Sequence, residues 1–302
     1  QTLSPFQFSL AGTDVQHIEG TNSLWLAGRK ENGYNGITYF DPLSKETQMY
    51  LFDDIINMDK TSIFSIIEMK NEIWFGGDDV ILTYNKKDNY WKTETYNLTN
   101  LYSEITTLVE FDDNVWLGTT RGLYVMNKKT KNLIDHEIIK SFSNMLIFDL
   151  YIHDKLVFIA TEVGLFIYDN NNNRIYERKN FGYNDSEFIF PIRSTDYTVL
   201  TSNKRNIFAA NRSGVISFNF RTRKWSNAVD ASIFGGLQIK SMASDKEIIF
   251  VSTISGLIKY DIRKNLMDIY NYRFIGKVHH MYIKGRKLWL GTSEGLISFR
   301  FK

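Results

Sequence analysis

Seven short stretches of the chain share one arrangement of apolar and polar positions. The clearest read VWLGTTRGLYVM (115–126), VFIATEVGLFIY (157–168) and LWLGTSEGLISF (288–299). Each runs through four or five mostly apolar residues, breaks for two or three polar ones, then resumes as a second apolar run. An aromatic residue anchors each copy: Trp25, Trp74, Trp116, Phe158, Phe208, Phe250 and Trp289, at intervals of 39 to 50 residues. Two places after the anchor the residue is always small: Ala27, Gly76, Gly118, Ala160, Ala210, Ser252 and Gly291. Six places after it stands a glycine in the last five copies (Gly122, Gly164, Gly214, Gly256, Gly295), and eleven places after it Asn85, Asn127, Asp169, Asn219 or Asp261.

The anchor and the small residue share one strand face, so a neighbouring sheet can approach beside a bulky ring. Residues between them are apolar too, which predicts burial of both faces. The glycine predicts a positive φ in a tight hairpin, such as a three-residue turn closing on a left-handed residue. The Asn or Asp predicts a turn opened by a side-chain bond to the backbone. No segment sustains a helical period, and each unit reads as four antiparallel strands. Seven such units buried on both faces predict an all-β, seven-bladed β-propeller, a single domain over 1–302. Copy seven lacks a fourth strand, and residues 1–10, with alternating Phe6 and Phe8, are expected to supply it and close the ring.

Composition narrows the chemistry. The 36 basic and 34 acidic residues nearly balance and form no basic run, which argues against nucleic acid as a partner. Cysteine is absent, which excludes disulfides, thiolate metal sites and a cysteine nucleophile. No apolar run approaches the ~18 residues of a membrane span. The chain opens at Gln1, which reads as removal of an N-terminal segment by a signal peptidase or by choice of boundaries.

The phrase Trp-Leu-Gly-Thr-x-x-Gly-Leu at 116–123 and 289–296 resembles the two-component regulator propeller repeat. It is looser in copy two, where Val80 replaces the glycine, and in copy one, where Gly36 comes five residues late. The resemblance implies the extracytoplasmic sensor of a bacterial histidine kinase or hybrid receptor, hence a periplasmic or extracellular location. It carries no catalytic motif, so the expectation is a non-enzyme without a cofactor. Membrane attachment would come only through segments absent here, and dimerisation would belong to the intact receptor.

Ligand contacts are expected on the face of the turn after the second strand, where loops vary on a rigid scaffold. Two segments break the rhythm there: 28–36, with Arg29, Tyr34 and Asn35, and 179–193, with Tyr183. Their aromatic and amide groups suit a carbohydrate-like or other small molecule. The short turns add Asp78, Arg121, Glu162, Arg212 and Glu294 to the same face. Innermost strands carry Ile66, Leu108, Leu150, Leu200, Met242 and Met281 eight places before the anchor, where copy one has His17. With His279, His280 and Asp149, that histidine raises a divalent-metal arrangement like that of the seven-bladed antibiotic lyases, against the plainer reading of hydrogen-bonded inner strands. A small-molecule or oligosaccharide sensor leads, with a secreted protein-interaction scaffold as the alternative.

Overall fold

The computed structural model describes residues 6–11, 15–20, 23–27, 36–56, 61–95, 103–177, 196–211, 214–234 and 237–301. The chain is a seven-bladed β-propeller whose blades are small antiparallel sheets. Blade 1 holds His17–Glu19, Leu24–Ala27, Gly36–Phe40 and Thr47–Leu51; blade 2 holds Ile63–Glu68, Glu72–Gly77, Val80–Asn85 and Tyr90–Thr95. The blades fall into two compact units. Residues 1–144 with 274–302 hold blades 7, 1, 2 and 3; residues 145–273 hold blades 4, 5 and 6.

Blade 7 is completed as expected. The strand Phe6–Ala11 pairs antiparallel with Gly295–Arg300, with Phe6 opposite Phe299 and Ala11 opposite Gly295. Blade 3 departs from the expectation: it has three strands, Ile105–Phe111, Asn114–Thr119 and Gly122–Asn127. Where a fourth would run, Leu133 makes an isolated bridge to Met126, and the chain turns into the short helix Glu137–Ser141. His136 caps that helix by accepting the Ile138 N–H, and Ile138 and Phe142 bury their side chains. That burial follows helical spacing (i, i+4), not strand alternation.

At Gly76 and Gly291 the neighbouring blade explains the small residue after the anchor. A Cβ on Gly76 would lie 2.6 Å from Ile105 Cγ2, and one on Gly291 would lie 2.7 Å from the Val15 carbonyl oxygen. The next blade's inner strand therefore packs directly against the backbone at these points. Anchor rings are buried: Trp74, Trp116, Phe158 and Trp289 are at most 1% exposed.

Candidate functional site

The repeated phrase is a hydrogen-bonded device for building its own turn. Thr119, Thr161 and Thr292, three places after the anchor, donate their hydroxyls to the carbonyls of Gly122, Gly164 and Gly295 at 2.8–2.9 Å. The same hydroxyls accept the N–H of Arg121, Val163 and Glu294. Only two residues lie between the paired Thr and Gly, so the turn is a residue shorter than expected. The glycines do take positive φ, but at 119–153°, well beyond the left-handed helical region and essentially closed to other residues. Blade 2 needs no such glycine because Asp79 itself takes φ 50° one place earlier.

The expected ligand residues divide on this turn. Asp78 and Glu162 occupy the position after the Thr or its equivalent, and each clamps the incoming chain in both directions. Asp78 Oδ2 accepts the Ser62 N–H while its own N–H donates to the Ser62 carbonyl; Glu162 does the same with Leu146. Thr120 with Glu104 and Ser293 with Lys277 repeat the clamp. Asp, Glu, Thr and Ser thus recur here as backbone acceptors. Arg121 and Glu294, one place on, sit at turn tips. Arg29, Tyr34, Asn35, Tyr183 and Arg212, with both long segments, lie outside the described residues.

His17 does not replace the inner-strand leucine. The first hairpin of blade 1 is one residue shorter, so Ile18 pairs with Leu26 as Ile66 pairs with Phe75 and Met281 with Leu290. His17 instead matches His280 and Asp149, opposite the small residues Ala27, Gly291 and Ala160. Each reaches the next blade's inner strand. His280 Nδ1 accepts the Ile18 N–H at 3.3 Å, His17 hydrogen-bonds the backbone of Phe64 and Ile66, and Asp149 Oδ2 accepts the Leu200 N–H at 2.7 Å. The two imidazoles stack with centroids 3.9 Å apart. Lost solvation holds His280 down at about 4 and His17 well below the ordinary histidine value, with His280 adding to the latter. Nearby, burial and the Glu68 charge lift Glu19 to about 7 against a backbone bond from Gly20. Among the described residues no three His, Asp or Glu side chains converge as metal ligands.

A recess of about 800 Å³ opens between blades 1 and 2 on the opposite side, where the first and third hairpins of each blade lie. Trp25, Tyr39, Tyr50, Tyr84 and Trp91 line it with Ile55, Ile73, Ser23, Gln48, Asn89 and the Glu68–Lys86 ion pair. Trp25 and Tyr50 lie nearly parallel at 5.9 Å, and Tyr84 packs 4.8 Å from Trp91. Hydroxyls fix the rings: Ser23 Oγ donates to Tyr39 Oη and Tyr84 Oη donates to Asn89 Oδ1, both at 2.7 Å. Burial, with Tyr84 alongside, pushes Tyr50 to about 12, so its phenol stays neutral. Sequence reasoning took Trp25 as a core anchor and missed Tyr50 and Trp91, which belong to outer strands. The signal was there as an excess of aromatics in two consecutive copies.

No family model matches the chain, and no curated protein matches it in sequence. Solved structures do match in shape. The extracellular domain of BT4673 from B. thetaiotaomicron, assigned to a hybrid two component system, superposes with a TM-score of 0.73 at 18% identity, over 98% of this chain and 40% of that one. Virginiamycin B lyase from Staphylococcus aureus gives 0.73 at 9% identity over 98% and 99%, and the RRP9 WD40 repeats give 0.68 at 8% over 98% and 97%. The chain thus spans about 40% of the BT4673 domain. A receptor domain, an enzyme and a WD40 propeller share this scaffold, and the likeness establishes the fold. No described helix is long and apolar enough to cross a membrane.

Proposed function

We propose that the chain is a ligand-sensing propeller from the extracytoplasmic part of a bacterial two-component receptor, acting by binding and not by catalysis. The observation that carries this reading is the preformed recess between blades 1 and 2. Its Tyr39 and Tyr84 rings are held by hydrogen bonds, and its volume falls within the roughly 300–1,000 Å³ typical of small-molecule sites. The phrase shared with two-component regulator propellers and the likeness to the BT4673 extracellular domain support the receptor assignment. His17 and His280 are engaged in backbone bonds between blades, which weighs against the metal-dependent lyase reading. Signalling would follow from a ligand that binds one receptor arrangement better than another.

Thermal shift of the chain against amino acids, glycans, organic amines and divalent metals, with a chelator control, tests the reading. A specific ligand at a hundredfold excess over its Kd stabilises by about 2.7 kcal/mol. A saturable shift with one class, lost in Trp91→Ala, is the expected result. A shift confined to metals and reversed by the chelator would overturn it.

A further inference from the structure

The junction between blades 2 and 3 shows what this architecture places beside an anchor tryptophan. Lys131 extends its ammonium over the Trp74 ring, 4.2 Å from the centroid, and pairs with Glu72 Oε2 at 2.5 Å. Trp74 Nε1 donates to the same carboxylate oxygen. Trp289 likewise has Lys287 over its ring at 4.1 Å. At the junction between blades 1 and 2, the positions matching Glu72 and Lys131 hold Ser23 and Asn89. No described cation sits over Trp25. The recess stands where the other junction is filled by a lysine.

We propose that this recess binds an organic ammonium ion, with its cationic head against the partly exposed rings of Tyr50 and Trp91, which Trp25 and Tyr84 back, and with Glu68 as the counter-charge. The inference rests on the reading of the chain as a ligand-binding domain and names the ligand class for its recess. Three observations select a cation. First, Ser23 is engaged with Tyr39 and Asn89 Oδ1 with Tyr84, which leaves Gln48 as the main neutral polar side chain of the lining for a hydroxyl-rich molecule. Second, Trp91 is partly exposed while its Nε1 is buried and has no partner among the described residues. The part of the ring it offers is therefore not its N–H edge, and an aromatic face attracts positive charge. Third, the ion pair is unequal. The Glu68 side chain is 13% exposed and Lys86 30%, and Glu68 faces a second carboxylate, Glu19. An anion that drew Lys86 away would leave two carboxylates together. A cation that displaced Lys86 would release it to solvent.

Choline is the probe, with 3,3-dimethylbutan-1-ol as its uncharged twin and maltose as a neutral saccharide, followed by calorimetry and tryptophan fluorescence. Saturable choline binding is expected, with the alcohol at least about tenfold weaker. Glu68→Gln and Trp91→Ala should each weaken it about tenfold. Asn89→Lys supplies the lysine of the neighbouring junction and should abolish choline binding while the fold, checked by circular dichroism, is kept. That variant decides the matter even if Trp91→Ala misfolds. No saturable choline binding, equal binding of the alcohol, or binding indifferent to Asn89→Lys would overturn the proposal. Maltose binding lost in Asn89→Lys would overturn the ammonium assignment and leave the sensor reading standing.

Discussion

The junctions on either side of blade 2 are built from the same parts and finished differently. Trp25 and Trp74 are both anchors packed against the following blade, but Trp74 is covered by Lys131 and Glu72 while Trp25 opens onto a recess. The filled junction satisfies itself: ring, ammonium and carboxylate each have a partner. The open one keeps its rings ordered through hydroxyl bonds at the rim and leaves a partly exposed aromatic wall. What repeats around this chain makes the frame. What fails to repeat marks where the frame can receive something.

That contrast can be broken most forcefully at the anchors. Trp74→Ala should cost about 3–5 kcal/mol, read by denaturant titration, because a fully buried ring leaves a cavity that the facing blade cannot close. Trp25→Ala should cost less than Trp74→Ala, since one side of its surroundings is already open; an equal loss would show that the recess collapses in solution.

The pH response sharpens the comparison between the inner strands and the recess. His280 titrates near 4 in the fold and near 6.5 when unfolded, so the unfolded chain takes up the proton first. Its contribution to stability should fall as pH drops from 6.5 to 4 and then level off. Glu19 runs the other way: near 7 folded against 4.5 unfolded, its contribution is full below 4.5 and lost as pH rises through 7. Glu19→Gln should therefore gain about 1–3 kcal/mol over the parent at pH 8 and almost nothing at pH 4.5. The two contributions oppose each other between about pH 4.5 and 6.5, so Tm across pH 4–8 is compared between the parent and Glu19→Gln to separate them. No gain at pH 8 would mean that water reaches Glu19.

Smaller effects are expected where the turn is built. Thr161→Ala removes a hydroxyl that bonds the Gly164 carbonyl and two N–H groups, at a cost of about 1–3 kcal/mol. Glu162→Ala removes one acceptor from the clamp and should cost about 1 kcal/mol, with no change in choline binding. Smallest of all, Lys131→Met should cost about 0.5–1 kcal/mol, the joint contribution of the contact with the Trp74 ring and the ion pair with Glu72.

Blade number, anchor burial, closing strand and turn glycines were all legible in the sequence because each repeats, and repetition converts a weak local preference into a pattern. Asn85 and Asn127 do open their turns by accepting two backbone N–H groups each, as their place in the repeat predicts. The third blade's missing strand was not legible, since Leu133 and Ile138 are as apolar as strand residues and differ only in what they pack against. His17 was misassigned because a hairpin shortened by one residue shifts the count from the anchor, and only the pairing of Ile18 with Leu26 reveals it. The recess was hidden for a related reason. Its residues come from two copies, and the meaning of Asn89 lies in not being the lysine that its counterpart is.

The strand Phe6–Ala11 also sets a timetable. It leaves the ribosome before the rest of this propeller, and its partner Gly295–Arg300 leaves after the other blades. Until that partner emerges the early strand has no place to go, and blade 7 cannot be assembled from its own neighbours alone. A pairing across nearly the whole chain is slow to find, because the intervening loop must be closed before any bond rewards it. Fastening this strand is therefore expected to be the late step of maturation, and a chain caught before it carries an unpaired sheet edge open to wrong partners.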